Sequence, residues 1–134
     1  MALKHASCVE FNGKGILIIG GSGSGKSDLA LRLIDAGGIL ISDDYVELDV
    51  NGNKIVVKPA PHIEGMIEVR GIGVVEVDFK KKCLLHLVLQ LKDRTQIERL
   101  REAEFFEYEG VEVPMYKFDP FALSAIPKIK LLVK

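Results

Sequence analysis

Eight residues near the start of the chain have the types and spacing to hold a phosphate group. They run Gly20-Gly21-Ser22-Gly23-Ser24-Gly25-Lys26-Ser27 and fit G-x-x-x-x-G-K-[ST]. The apolar run Gly15–Ile19 precedes them and the helix-like run Ser27–Ala36 follows, so the expected order is strand, loop, helix. In that setting backbone N–H groups turn inward and wrap a phosphate. The N-terminus of the following helix adds a favourable field. Glycine allows the turns and puts no Cβ in the way. Lys26 would reach the outer phosphates, and the Ser27 hydroxyl would take a Mg²⁺ ion.

Other residues could complete that chemistry. Asp43 and Asp44 follow the apolar stretch Ile39–Ile41. In phosphate-loop proteins the strand beside the loop strand ends close to the phosphates, and a carboxylate there acts on Mg²⁺ or on an attacking hydroxyl, so Ile39–Ile41 is expected next to Gly15–Ile19. Neighbouring strand residues face opposite sides, so one aspartate faces the nucleotide and the other caps or orients. Glu68, Arg70, Gly71 and Gly73 form the cluster E-V-R-G-I-G. Glu68 could supply a second metal carboxylate and Arg70 could neutralise phosphate charge. Taken alone, these residues read equally well as a turn with a surface ion pair. Arg94 and Arg99 are candidates for phosphate or substrate contacts, in competition with a solvated helix face. His5 opens the first strand and has no role by itself. His86 lies in an apolar strand as a core or edge residue.

The elements that must position these groups are short. His5–Phe11 and Gly15–Ile19 read as strands joined by the tight turn Asn12-Gly13. Leu29, Ala30, Leu33 and Ile34 make a helical stripe that Gly37-Gly38 stops. Tyr45–Val50 and Lys54–Lys58 read as a hairpin around Asn51-Gly52-Asn53. Ile63–Ile67 reads as a helical turn. Ile72–Phe79, Leu84–Leu91 and Val111–Phe118 read as strands. Thr95–Phe106 reads as a charged surface helix, and Ile129–Val133 as a final strand or helical tail.

Composition narrows the classes. The chain has 134 residues with 48% apolar content, enough for one modest core. Its formal charge of -1 gives no bulk attraction to nucleic acid. Cys8 and Cys83 fit no metal spacing and are expected as reduced core residues. No run approaches the length of a membrane span and the start lacks a secretory pattern, so a cytoplasmic protein off the membrane is expected.

With these residues in view, the chain resembles the HPr kinase/phosphorylase family of bacteria. The carrying features are G-G-S-G-S-G-K-S, the I-S-D-D of Ile41–Asp44, the intact E-V-R-G-I-G of Glu68–Gly73, and His5 upstream of the loop. The resemblance covers about residues 5 to 79 well. It implies an α/β fold, a P-loop-containing mixed-sheet domain of the HPr kinase C-terminal domain type, with residues 1–134 as a single kinase domain. It implies an ATP-dependent protein serine kinase with Mg²⁺ that phosphorylates the phosphocarrier protein HPr or an HPr-like protein. Reverse phosphorolysis and homo-oligomers occur in the family. On the matching positions, Asp43 is the base, with His5 close enough to tune it and Lys26 acting on the phosphates. Gly20 to Ser27 cradle the nucleotide, and Ser27 and Glu68 hold metal. Arg70 organises the signature loop, and Arg94 and Arg99 fall loosely where the long forms have an arginine used in phosphorolysis. The end of the chain, F-D-P-F-A-L-S-A-I-P-K-I-K-L, resembles short alphaproteobacterial forms without the extra N-terminal domain. The alternative is a nucleotide-binding regulatory or sensor protein that lacks transfer.

Overall fold

The structure is a computed structural model that describes residues 2–134. The strands are β1 (Ala2–His5), β2 (Ser7–Phe11), β3 (Lys14–Ile19), β4 (Ile39–Ser42), β5 (Tyr45–Asn51), β6 (Lys54–Pro59), β7 (Met66–Val69), β8 (Gly73–Glu76), β9 (Cys83–Leu91), β10 (Glu104–Tyr108) and β11 (Val111–Phe118). The helices are α1 (Lys26–Asp35) and α2 (Ala125–Leu132).

Nine strands form one mixed sheet in the order β1-β5-β6-β9-β3-β2-β4, with β10 and β11 branching from β9. β9 makes the branch possible because it is long. One edge pairs in parallel with β3. The other edge is shared, its start pairing with β6 through Cys83 and Leu84 and its end with β11 from Val88 to Leu91. The β2–β3 hairpin turns at Asn12 and Gly13, both with positive φ, as the Asn-Gly pair predicts.

β2 lies between β3 and β4, so the strand that ends at Asp43 is not the direct neighbour of the strand that feeds the glycine loop. This corrects the expectation of adjacent strands. β2 is antiparallel to both neighbours, so β3 and β4 run the same way and finish at the same end of the sheet. The start of β2, Ser7, sits between those two ends.

Both faces of the sheet are apolar. On one face Ile16 and Ile18 of β3 pack with Leu29, Ala30 and Leu33 of α1 and with Ala125 and Ile129 of α2. On the other, Leu17 packs with Cys8, Ile41, Val46, Leu48, Val57 and Val88. β3 alternates between these cores, as a central strand must. Truncating a buried leucine such as Leu33 to alanine in such a core removes about 2–5 kcal/mol. α1 ends where Gly37 and Gly38 return their N–H groups to Ile34 and Leu33. Pro127 falls in the first turn of α2, where its missing N–H costs no helical hydrogen bond.

Several sequence expectations change here. Thr95–Phe106 is not a helix. A short 3₁₀ turn, Arg94–Gln96, leads through an irregular stretch into β10, which pairs with β11. Alternate burial of Glu104, Phe106 and Tyr108 against exposed Phe105 and Glu107 is a strand period that the surrounding charges obscured. Ile63–Ile67 is not a helical turn either. Met66–Val69 forms β7, paired with β8 in a separate small sheet. Of the two readings of Ile129–Val133, a final strand or a helical tail, the structure has the helix. His86 is exposed on β9.

Candidate active site

Gly20 to Gly25 connect β3 to α1. A turn closes within the segment, Ser24 N–H donating to the Gly21 carbonyl at 3.1 Å. Gly25 sits in the left-handed region at φ 101° and serves as the N-cap of α1 without a side-chain cap. The first-turn N–H groups of α1 are therefore not capped by that residue's side chain. A Cβ on Gly20 would stand 2.6 Å from Ser24 Oγ, so a larger residue there would turn the Ser24 hydroxyl out of its place. Ser24 Oγ is buried with no hydrogen-bond partner. An orphaned buried hydroxyl in a glycine loop is a donor awaiting an acceptor, and a phosphate oxygen fits that need.

Lys26 is only 7% exposed, and its ammonium donates to the carbonyls of Gly20 at 2.9 Å and Gly21 at 3.0 Å. The side chain is thus folded over the loop. Two carbonyls hold this buried side chain next to the place an anion would occupy.

Asp43 is the hub of the site. It is 4% exposed. The Ser27 hydroxyl reaches both carboxylate oxygens, at 2.8 and 3.0 Å. The Ser7 hydroxyl donates to Oδ1 at 2.7 Å, and the backbone N–H of Glu68 lies 3.3 Å from Oδ2. These contacts come from β2, α1 and β7, so the carboxylate ties three elements together. Ser27, Glu68 and Arg70 line one cavity of about 420 Å³ with Gly23, Gly25 and Lys26. Hydroxyl and carboxylate oxygens are the donors a hard divalent cation takes. Among the described residues no group of three or more His, Cys, Asp or Glu side chains could hold a metal by itself. A Mg²⁺ site of this kind shares its coordination with substrate phosphates.

His5 turns elsewhere. Its Nε2 lies 3.0 Å from Asp44 Oδ1, and its ring packs on Tyr45 at 5.1 Å between centroids. It pairs with the second aspartate of the doublet, not with Asp43. Asp44 has a positive φ of 69°, a left-handed conformation that aspartate adopts more readily than most residues, and its N–H donates to Ser7 Oγ. The backbone twist sends the two aspartates in different directions, Asp43 inward and Asp44 to His5. Arg94 and Arg99 do not line the 420 Å³ cavity. Both border a neighbouring groove of about 1000 Å³ that runs along α2.

Sequence reading missed Ser7. It is fully buried, it donates to Asp43, and it accepts from Asp44. The available signal was a lone hydroxyl at the start of an otherwise apolar strand.

The family model for the HPr Serine kinase C-terminal domain matches residues 1–120. The chain belongs to that family. Among its relatives, the HPr kinase/phosphorylase of Mycoplasmopsis pulmonis is 36% identical over 138 residues, covering 97% of this chain and 42% of the relative. That of Caldicellulosiruptor bescii is 38% identical over 123 residues, covering 83% of this chain and 40% of the relative. The chain therefore spans about two fifths of the length of these curated relatives. The solved Hpr(Ser) kinase/phosphatase from Coxiella burnetii superposes with a TM-score of 0.88 at 25% identity, covering 99% of this chain and 94% of that one. The α/β mixed-sheet fold described above is thus the fold of the HPr kinase domain family. Among the described residues no helix of this family member is long and apolar enough to cross a membrane.

Proposed function

We propose that residues 1–134 form one kinase domain that uses ATP and Mg²⁺ to phosphorylate a serine of HPr or an HPr-like phosphocarrier protein in the cytoplasm. The observation that carries this reading is Asp43, buried and held by Ser7 and Ser27 at the mouth of the glycine loop. Family membership and the names of the relatives support the acceptor.

Gly20 to Ser27 act as a P-loop. Their backbone N–H groups and the free Ser24 hydroxyl receive the β-phosphate region. Lys26 exchanges its carbonyl partners for phosphate oxygens and stabilises charge that builds up on transfer. Ser27 and Glu68 would hold Mg²⁺, which would supply neutralisation of phosphate charge. Asp43 orients the incoming serine hydroxyl and accepts its proton as the bond from oxygen to the γ-phosphorus forms and the bond to the ADP oxygen breaks. Each such charge-stabilising contact contributes about 10²–10³ in rate. His5, through Asp44, keeps the strand end that presents Asp43 in place. Arg70 organises the wall of the cavity. Arg94 and Arg99 lie along the groove by α2, where they can meet an acceptor protein or inorganic phosphate in the reverse direction. The chain ending compares with short alphaproteobacterial forms of the family, and assembly into homo-oligomers fits the family habit.

Incubation with labelled ATP, Mg²⁺ and the HPr-like proteins of the same genome tests the reading. Mass spectrometry is expected to find one phosphoserine on the acceptor. ATP binding with no phosphoserine on any of them would instead assign a nucleotide sensor without transfer.

A further inference from the structure

β3 pairs in parallel with β9, and β9 in parallel with β11. All three strands therefore finish at one edge, and the segments after them lie side by side. These are the glycine loop, Lys92–Gln96 and Asp119–Phe121. Ligands of parallel sheets bind over these carboxyl ends. The phosphate reading uses the first segment only. The other two enclose a cavity of about 500 Å³ that Ser24, Asp93, Gln96, Asp119 and Phe121 line. Phe121 also lines the 420 Å³ cavity of the glycine loop, so its ring is the wall common to both.

Phe121 is 71% exposed, so one face of its ring is open to a ligand. It is nonetheless held. Its N–H donates to Asp119 Oδ1 at 2.9 Å, and Arg32 of α1 donates to the Pro120 carbonyl just before it. Its ring edge meets the loop, since a Cβ on Gly25 would stand 3.1 Å from Phe121 Cζ. An open aromatic face fixed beside a polyphosphate cradle suits a flat heteroaromatic base. The neighbouring groups complete the match. Oδ1 of Asp93 takes Thr95 and Oδ1 of Asp119 takes the Phe121 N–H, which leaves Oδ2 of each to accept from ribose hydroxyls or an exocyclic amine. The Gln96 oxygen takes the Asp93 N–H, which leaves its NH₂ to donate.

We propose that Phe121 is the stacking platform for the base of the nucleotide, and that the cavity between Lys92–Gln96 and Asp119–Phe121 is its base-and-ribose subsite. This rests on the phosphate-cradle reading of the glycine loop and adds the part of the ligand that the loop leaves unbound.

Calorimetry with Mg²⁺ tests it, comparing ATP and inorganic tripolyphosphate on the unaltered chain, F121A and F121W. Phe121→Ala is expected to weaken ATP by about tenfold or more, as loss of a base–aromatic stack does, and to leave tripolyphosphate within about twofold. The chain contains no tryptophan, so Phe121→Trp installs a single fluorophore. Its emission is expected to be quenched by ATP and not by tripolyphosphate. Unchanged ATP affinity in F121A, an equal loss of both ligands, or a silent F121W under bound ATP each overturns the proposal. Failure of the cradle reading is distinct: the unaltered chain would then not bind tripolyphosphate at all, and the base subsite would fall with it.

Discussion

At the scale of single residues, Asp43 gathers the contacts of the candidate site. Its carboxylate takes hydroxyl donors from Ser7 and Ser27 and approaches the Glu68 N–H, all within 3.3 Å. Asp43→Asn keeps the size, exchanges one carboxylate acceptor for an NH₂ donor, and removes the proposed base. Nucleotide affinity in this variant is expected to stay within about threefold by calorimetry, while transfer to HPr falls by about 10²-fold or more in a phosphoserine assay, the range for a positioned general base. Retained transfer would take the base role from Asp43. Ser7 acts one step back. A buried hydrogen bond to a charged group contributes about 1.5–3 kcal/mol, so Ser7→Ala is expected to lower stability by that order. It should also lower kcat by about tenfold with little change in KM for ATP, because the freed carboxylate is misaimed rather than absent. Ser7→Thr, which keeps the hydroxyl, should recover most of kcat. Equal kcat in the alanine variant would leave Ser7 a purely structural residue. Cys8 shows the opposite use of burial. It lies 3.8 Å from Cys83 Sγ, both thiols are free, and burial pushes its pKa well above the ordinary thiol value. It is a neutral core residue, not a nucleophile.

At the scale of elements, what matters is how α1 is seated. Gly38, just past its end, lies against β2. A Cβ there would come within 2.8 Å of Val9 Cγ1 and 2.9 Å of the Leu33 carbonyl. The carbonyl is backbone of α1 and cannot rotate away. Gly38→Ala is therefore expected to lower stability by about 1–3 kcal/mol in urea denaturation, the usual scale of overpacking. A midpoint equal to the unaltered chain would show that helix and hairpin can part without loss. Elements with clear periods were legible beforehand. The β2–β3 hairpin announced itself by Asn12-Gly13, and α1 by its leucine stripe and terminal glycines. The segment from Arg94 to Glu107 was not legible. Its charges mimic a surface helix, while β10 is decided by the hairpin turn Glu109-Gly110 that folds it onto β11. β7 is likewise one arm of a short hairpin, and its four residues are too few to show a strand period before β8 pairs with them.

At the scale of the whole molecule, the long strand β9 joins everything. It pairs with β3, β6 and β11, and through them links both apolar faces to one sheet. This arrangement brings Ser7, Ser27, Asp43 and Glu68 together from four separate stretches of chain. It also carries the end of β11 to the glycine loop, which sets Phe121 against Gly25. The family match spans this same unit, and the fold of the Coxiella burnetii relative covers nearly all of it.

The sequence by itself determined the loop, its lysine and serine, the aspartate doublet, and the glutamate and arginine of E-V-R-G-I-G, because each is a local pattern whose chemistry follows from residue type and spacing. Only the tertiary structure decided which aspartate turns inward, that His5 belongs to Asp44, that Ser7 braces the carboxylate, and that Phe121 borders the loop. Those outcomes depend on strand order and register. An inserted antiparallel strand sets β3 and β4 running the same way, and residues more than thirty positions apart become neighbours only once the sheet has closed around them.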